Sequence, residues 1–181
     1  MQENGVSSYR RYLLGDTKAL ETLVAQYSDA LVRFACCLLH DPAAAEDIAE
    51  DSFVALIVKR RHFKSDAHMR AYLFKTARNK CMDYLRAQRR NAPLEEYLVG
   101  EDVERTLAGR ERARILYGAM NKLPAQYQGV LYLTYIEGFT AAECAHILKK
   151  TTKQIYNLLS RAKAALRNQL EKEGYRNYEN L

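Results

Sequence analysis

Two helix-start signals, at Thr140 and Thr151, constrain the fold of this chain more than any other feature. Thr140-x-x-Glu143 and Thr151-x-x-Gln154 each match a capping box, in which two side chains satisfy backbone N–H groups at the start of a helix. The intervening residues have room for one short helix and a tight turn only. The stretch FTAAECAHILKKTTKQIYNLLSRAKAALR therefore predicts a helix-turn-helix, with the small Ala145 where the helices cross. The apolar contacts that lock this crossing are predicted at Cys144, Leu148, Ile155 and Leu158.

The second of these helices should present a polar, basic face to solvent. Arg, Asn and Gln side chains can read base edges, whereas Lys and Ser more often hold phosphate. We therefore predict DNA contacts for Lys153, Gln154, Tyr156, Asn157, Ser160, Arg161 and Lys163. The alternative is an ordinary helical hairpin with a solvated basic face. Lys149 stands where such turns commonly have glycine, and it would cost about 1 kcal/mol if its φ is positive.

The rest of the chain also predicts helices, since it has only 8 Gly and 3 Pro in 181 residues. Asp16 precedes an amphipathic run to Leu39 that we expect to be helical, with a possible break near Ser28-Asp29. Asp41-Pro42 then starts a helix with four early acids and a basic end. This polarity complements the helix dipole, so part of it needs no functional cause. The early acids are Glu46, Asp47, Glu50 and Asp51.

A long basic helix is predicted after the cap at Ser65-Asp66, and it ends near Arg90. Residues 91–109 lack helical periodicity and carry the acids Glu95, Glu96, Glu101, Asp102 and Glu104. We interpret them as a linker. The predicted fold is all-α: two small helical domains, residues 1–90 and 110–173, joined by an acidic linker at 91–109 and followed by a tail at 174–181.

Composition limits the function classes that remain. The net charge of +6 permits a nucleic-acid partner. No apolar run approaches the ~18 residues of a membrane span, and the N-terminus has no signal-peptide core, so we expect a cytoplasmic protein without membrane insertion. The four histidines are scattered and no phosphate loop or nucleophile motif occurs, so we predict no enzyme activity, no metal and no cofactor. Cys36, Cys37, Cys81 and Cys144 form no C-x-x-C pair; we expect buried thiols, with a redox role of Cys36-Cys37 as the alternative.

Two stretches together resemble a known protein family. AAAEDIAEDSFVALI and the following FKSDAHMRAYLFKTARNKCMDYLRAQRR resemble region 2 of ECF-type bacterial sigma factors. LPAQYQGVLYLTYIEGFTAAECAHILKKTTKQIYNLLSRAKAALR resembles their region 4. The resemblance covers residues 12 to 171 or so. It implies a transcription initiation factor that binds core RNA polymerase, recognises −35 and −10 promoter elements and promotes DNA melting.

The resemblance assigns polymerase contacts to both domains. The acidic helix corresponds to the surface that binds the β′ coiled coil, through Asp47, Glu50, Asp51 and Phe53, although helical spacing also predicts Phe53 on the buried side with Ile48, Leu56 and Ile57. Residues 115–136 correspond to the β-flap contact, with Leu123, Val130, Leu131 and Leu133 as candidates, although several of these four must belong to the core. The acidic linker corresponds to a segment that threads toward the RNA exit path, and a solvated spacer is the alternative.

The basic helix corresponds to the reader of the −10 element, which captures a base flipped out of melted DNA. The resemblance places Tyr72, Phe74, Asn79 and Asp83 at or near the pocket that holds this flipped base. Phosphate contacts are expected from Lys75, Arg78, Lys80, Arg86, Arg89 and Arg90. For Tyr72 and Phe74, burial in the core is the alternative. The base that is captured should depend on the residues around Phe63 to Arg70.

The helix-turn-helix corresponds to the reader of the −35 element. Tyr156, Asn157, Ser160 and Arg161 match the family's contacting positions, while Leu158 stands where many relatives have Arg. Such factors commonly have an anti-sigma partner, which we therefore expect here. The competing interpretation is a stand-alone dimeric helix-turn-helix regulator, which would bind a palindromic duplex without polymerase.

Overall fold

The computed structural model describes residues 5–91 and 111–175, and every regular element within these ranges is helical. This confirms the all-α fold. The chain divides into two compact units, residues 1–94 and 95–181. The division falls inside the predicted linker, most of which lies outside the described residues, as do its acids and residues 176–181 of the tail. The domain limits given above therefore stay a prediction.

Within residues 5–91 the first unit has four helices, two of which begin at an Asp cap. Asp16 and Asp41 cap their helices, with carboxylate oxygens that accept from Ala19 N at 3.3 Å and from Ala44 N at 3.1 Å. Both predicted caps are confirmed. The helices are α1 (Gly5–Leu13), α2 (Thr17–Leu39), α3 (Pro42–Lys59) and α4 (Asp66–Asn91).

Helix α2 runs without interruption, so the predicted break near Ser28-Asp29 is wrong. The apolar stripe continues through this point: Tyr27, Leu31 and Phe34 are all buried. By length and composition α2 could also cross a membrane, a test that core helices of globular proteins pass as well. Here its buried face packs on α1, α3 and α4, as a core helix does.

Helix α1 was not predicted, and it is held by contacts distant in sequence. Gly5 lies so close to α2 that a Cβ there would be 2.3 Å from the Tyr27 ring. The Asp66 carboxylate accepts from Val6 N at 3.1 Å and from the Tyr27 hydroxyl at 2.9 Å. One carboxylate thus satisfies donors from two helices at the start of α1.

The second unit is built from α5 (Glu111–Asn121), α6 (Ala125–Leu131), α7 (Ala141–Leu148) and α8 (Thr152–Lys172). Helix α6 continues into one π-helical turn, Tyr132–Ile136. The buried Gln128 donates from Nε2 to Asn121 O at 3.1 Å and Leu123 O at 2.8 Å, which stabilises the turn between α5 and α6. Helix α8 packs on α5, α6 and α7 and is the centre of this unit.

Candidate nucleic-acid interface

Both predicted capping boxes form. Thr140 N donates to Glu143 Oε2 at 2.8 Å, and Glu143 N donates back to Thr140 Oγ1 at 3.3 Å. The same reciprocal pair joins Thr151 and Gln154 at 2.8 and 3.2 Å. The two helices of the predicted helix-turn-helix, α7 and α8, are therefore confirmed, and Cys144, Leu148 and Ile155 are buried where the sequence placed apolar contacts.

Lys149 does adopt the left-handed conformation that favours glycine, with φ 54°. Its N–H donates to Ala145 O and closes the last turn of α7. An L side chain in this conformation costs about 1–2 kcal/mol. Lys150, one residue later, is not among the described non-glycine residues with positive φ.

We expect Lys149→Gly to stabilise the second unit by up to about 1 kcal/mol, because the relieved strain of about 1–2 kcal/mol exceeds the about 0.5–1 kcal/mol of unfolded-state entropy that a glycine adds. Lys150→Gly is the matched control: it removes the same charge but should destabilise by about 0.5–1 kcal/mol through unfolded-state entropy. Denaturant midpoints of the two full-length variants would show shifts in opposite directions. Equal shifts would contradict the strain at Lys149.

Helix α8 presents most of its predicted DNA-contacting residues to solvent. Its buried side consists of Ile155, Leu159, Ala162, Leu166 and Leu170. Tyr156 is 62% exposed, which is unusual for an aromatic side chain and fits a ring available for contact. The other exposed members of the predicted set are Lys153, Gln154, Asn157, Ser160 and Arg161.

Two members of this set already have partners within the unit. The Oε1 atom of Gln154 belongs to the capping box, so it is not available to accept from a base. Lys163 is half-buried, with Nζ 5.0 Å from the centroid of the Tyr135 ring, a cation–π contact. The five remaining exposed residues are the better candidates: Lys153, Tyr156, Asn157, Ser160 and Arg161.

Helix α4 carries its basic residues along the side opposite its buried residues Phe74, Ala77 and Cys81. Tyr72, Lys75, Asn79, Arg86 and Arg90 recur at spacings of three, four and seven residues, which places them on one face. Asp83, on the same face, pairs with Arg86. Arg78 and Arg89 lie beside this face of α4. Burial lowers the pKa of the Arg78 guanidinium from its ordinary value.

Phe74 is not on this face. Its ring is 0% exposed and lies 5.4 Å from the ring of Phe34 in the core. Phe74 therefore has the alternative that the sequence left open, burial in the core, and its base contact stays a prediction. Phe74 lies at helical spacing from the buried Ala77 and Cys81. This position in the helix places its side chain in the core, whatever the chemistry of the ring.

Tyr72 lies at the edge of α4, in contact with the loop between α3 and α4. Its ring is 5.3 Å from Phe63, and the Arg61 guanidinium is 5.5 Å from its centroid. The Tyr72 hydroxyl is buried and has no hydrogen-bond partner within residues 5–91 and 111–175. Tyr72 is thus half-buried rather than core, and it joins the start of α4 to the loop.

Helix α3 exposes an acidic–apolar stripe, defined here as Asp47, Glu50, Val54 and Val58. These four residues are exposed and recur every three or four positions, so they share one face. Val58 is 73% exposed. The valines were missed in the sequence, although their spacing from Asp47 and Glu50 was a usable signal.

Two predictions on α3 need correction. Phe53 is 5% exposed and belongs to the core, because it lies at the spacing of Ile48, Ala49 and Leu56. It therefore cannot supply apolar contact to a partner in this conformation. Asp51 is exposed, but its carboxylate pairs with Lys80 Nζ at 2.7 Å, so a predicted polymerase contact and a predicted DNA contact neutralise each other.

The apolar β-flap candidates of the second unit are also core residues. Leu123, Val130, Leu131 and Leu133 are all buried. The large apolar side chains that the π turn exposes are Tyr135 and Ile136. An added residue in the π turn rotates the helix face, and a helical pattern in sequence does not reveal this.

The cysteines lie apart from any of these surfaces. Cys36, Cys81 and Cys144 are buried, and burial raises the pKa of Cys36 to about 11 and that of Cys81 to about 12. Such thiols stay protonated near neutral pH and are poor nucleophiles. Within residues 5–91 and 111–175, His, Cys, Asp and Glu form no group that could hold a metal ion.

Comparison with known proteins yields two family matches, in the order that the two units have in the chain. "Sigma-70 region 2" matches residues 23–91, and "Sigma-70, region 4" matches residues 113–166. The ECF RNA polymerase sigma factor SigM of Bacillus subtilis is 24% identical over 152 residues, which cover 82% of this chain and 93% of SigM.

Two solved structures share the fold. The sigma factor RpoE of Bartonella quintana, in complex with the anti-sigma factor NepR, has a TM-score of 0.66 at 22% identity and covers 86% of this chain and 98% of its own. CnrH, in complex with the cytosolic domain of CnrY, has a TM-score of 0.65 at 25% identity and covers 94% and 99%. The family consists of initiation factors, not enzymes. Because both of its regions are matched in order and the relatives span nearly the whole chain, this protein belongs to the sigma-70 family as an ECF-type RNA polymerase sigma factor, a transcription initiation factor.

Proposed function

We propose that the two units divide promoter recognition and polymerase binding among three surfaces. These are the acidic–apolar stripe of α3, the basic face of α4 and the exposed face of α8. The observation that carries the proposal is the chemical contrast within the first unit: α3 exposes acids beside valines, whereas α4 exposes Arg86, Arg89 and Arg90, with Lys75 and Lys80 half-buried. If α3 and α4 exposed the same chemistry, the first unit would offer a surface for only one kind of partner.

The acidic–apolar stripe fits the β′ coiled coil of core RNA polymerase. Asp47 and Glu50 offer carboxylates for basic partner residues, and the exposed Val54 and Val58 add apolar area next to them. Interfaces combine a small apolar centre with charged groups that give specificity and speed of association. In the second unit, the exposed Tyr135 and Ile136 are the better candidates for the β-flap contact.

The basic face of α4 fits the −10 element. Arg86, Arg89 and Arg90 are exposed at the C-terminal end, where they can hold phosphates, while Tyr72 and Asn79 lie nearer the α3–α4 loop. Opening a duplex costs a few kcal/mol for each base taken out of the stack, so phosphate contacts must accompany the base contact. Lys80 can join them only by leaving Asp51.

The exposed face of α8 fits the −35 element as duplex DNA. Asn157 and Arg161 have the side chains that read base edges, and Lys153 and Ser160 have those that hold phosphate. An anti-sigma partner is part of the proposal, since the structural relative RpoE was solved with one. We place the activity in the cytoplasm, where polymerase and promoter DNA are found.

The test is a selection from a random-sequence duplex library with core RNA polymerase and the full-length chain. We expect two separated conserved elements that neither component selects alone. Arg161→Ala should weaken preference in the upstream element only, and Asn79→Ala in the downstream element only. Arg33→Ala, on α2, is the matched control and should change neither.

Two outcomes would overturn this assignment. A palindromic site bound by a dimer without polymerase would favour the stand-alone regulator. If Arg161→Ala and Asn79→Ala both lowered enrichment uniformly across the two elements, with the helical circular dichroism unchanged, the division of labour between α8 and α4 would be wrong.

A further inference from the structure

The short helix α1 makes a set of contacts with the segment that joins α3 to α4. The Tyr9 hydroxyl donates to Leu56 O at 3.2 Å, and Arg10 Nη2 donates to Phe63 O at 3.1 Å. In the reverse direction, Arg60 Nη2 donates to Leu13 O at 3.5 Å. Side-chain donors from α1 thus satisfy backbone carbonyls at the end of α3 and within the following loop.

This loop has little regular structure of its own. Helix α3 ends at Lys59, Arg60 has a positive φ of 42°, and α4 begins only at Asp66. Ordering the backbone of one residue costs roughly 1–2 kcal/mol, so a loop without helical hydrogen bonds needs contacts from elsewhere to keep one conformation. The bond from Arg10 to Phe63 O is such a contact, and the bond from Tyr9 to Leu56 O ties the same short helix to the end of α3.

Aromatic packing extends the support to the predicted DNA face. The Tyr9 ring is 1% exposed and lies 5.7 Å from the Phe63 ring, which in turn lies 5.3 Å from the Tyr72 ring. Arg61, also in the loop, makes a cation–π contact with Tyr72: its guanidinium carbon lies 5.5 Å from the centroid of the Tyr72 ring. A displacement of α1 would therefore move Phe63 relative to Tyr72.

Helix α1 is itself anchored at its start, so it can act as a fixed support. The close approach at Gly5 and the bond from Val6 N to Asp66 tie it to α2 and to the first residue of α4. The helix therefore spans from the start of α4 to the loop before it. Two fixed points are needed if the position of the loop is to be set by α1.

We propose that Tyr9 and Arg10 are positioning residues that hold the loop of residues 60–65 in register with Tyr72, and thereby set base selectivity in the downstream promoter element. This rests on the proposed function, because it takes α4 and the adjoining loop as the −10 reader. The positioning role requires no contact between DNA and either Tyr9 or Arg10. Their effect passes through the Phe63 carbonyl and the ring of Phe63.

The experiment is the library selection with core polymerase and full-length chain, scored as the preference ratio between bases at each position. Arg10→Ala should lower the ratio at one or two downstream positions about fivefold, the size expected from one lost hydrogen bond, and leave the upstream element unchanged. Tyr9→Leu, which removes the aromatic contact with the Phe63 ring, should give the same downstream-only pattern, whereas Tyr9→Phe keeps that contact, loses only the bond to Leu56 O in α3, and should stay close to wild type. Arg10→Lys retains a donor and should restore part of the ratio.

Arg11→Ala is the matched control, since Arg11 is the neighbouring arginine and its guanidinium pairs with Asp16 at 2.5 Å. It should leave both elements unchanged. If Arg10→Ala keeps the wild-type downstream ratios, or loses preference equally in both elements, the positioning role is refuted while the proposed function stands. If wild-type holoenzyme selects no two-part site at all, the proposed function and this inference fail together.

Discussion

Reversal of Asp47 and Glu50 to lysine is expected to abolish capture of core RNA polymerase by this sigma factor. Both carboxylates are exposed on the acidic–apolar stripe, and the reversal places two positive charges against a basic partner surface. Breaking one close charge pair at an interface costs about 2–5 kcal/mol, so affinity for core should fall at least a hundredfold. Asp51 is left unchanged because its pairing with Lys80 would confuse the result.

The matched control reverses two exposed acids of α2, Glu21 and Asp29, and produces the same change in net charge. Fluorescence titration of labelled chain with core polymerase would measure both double variants, with helical circular dichroism as the test of folding. We expect the α2 variant to bind within about threefold of wild type, since distant surface charges act mainly on association rate. Loss of binding in both variants alike would mean that net charge, and not this stripe, governs capture.

The apolar half of the same stripe offers a second arm of this test. Val58→Ser changes no charge and removes little buried contact, because the side chain is 73% exposed in the free protein. Weaker capture of core at unchanged stability would show that Val58 becomes buried on binding. Unchanged capture would confine the interface to the acidic end of α3.

Truncation of Phe74 to alanine is expected to be the most damaging single change to the stability of the first unit. The ring is fully buried against Phe34, and replacement of a buried Phe by Ala costs about 3–5 kcal/mol through lost transfer energy and the cavity left behind. Against the ~5–15 kcal/mol that a domain of this kind has in total, such a loss shifts the unit close to unfolding. Phe74→Leu, which keeps most of the volume, should cost much less.

Denaturant unfolding followed by circular dichroism would measure this effect, with Val58→Ala as a surface control expected within about 0.5 kcal/mol of wild type. The same variants titrated with single-stranded DNA, in holoenzyme, separate the two roles once assigned to Phe74. If Phe74→Ala unfolded at the wild-type denaturant concentration yet lost DNA binding, the ring would be a base contact after all. A loss of stability with DNA binding retained by Phe74→Leu is the expected result.

The success of the local predictions has a physical cause. Capping boxes at Thr140 and Thr151, and Asp caps at Asp16 and Asp41, depend on side chains bonding to backbone groups within three residues, and nearby residues are enough to specify them. The family resemblance rested on the same kind of pattern, extended along α3, α4, α7 and α8. The missed helix α1 is the opposite case, since Gly5 and Val6 are held by Tyr27 and Asp66, distant in sequence.

The same distinction between local contacts and contacts distant in sequence applies to the assignment of side chains to the surface or the core. Charged residues were placed on the surface correctly, because a lone charge is too costly to bury. For the aromatic and aliphatic residues Phe53, Phe74 and Leu133, a contact surface and a core position were both open, and one residue of helical phase decides between them. The π turn after α6 shifts that phase again and brings Tyr135 and Ile136 to the surface.

The sequence by itself determined the helices that begin at local caps, the order of the two units, the charge of each helix and the family. Only the tertiary structure decided between core and contact surface for Phe53 and Phe74, that Asp51 is paired with Lys80, that Lys149 has a left-handed backbone, and that α1 reaches the loop before α4. The first group depends on interactions within a few residues of the chain. The second group depends on how the helices pack against one another. This packing is set by contacts between residues far apart in sequence, which a local sequence pattern does not predict.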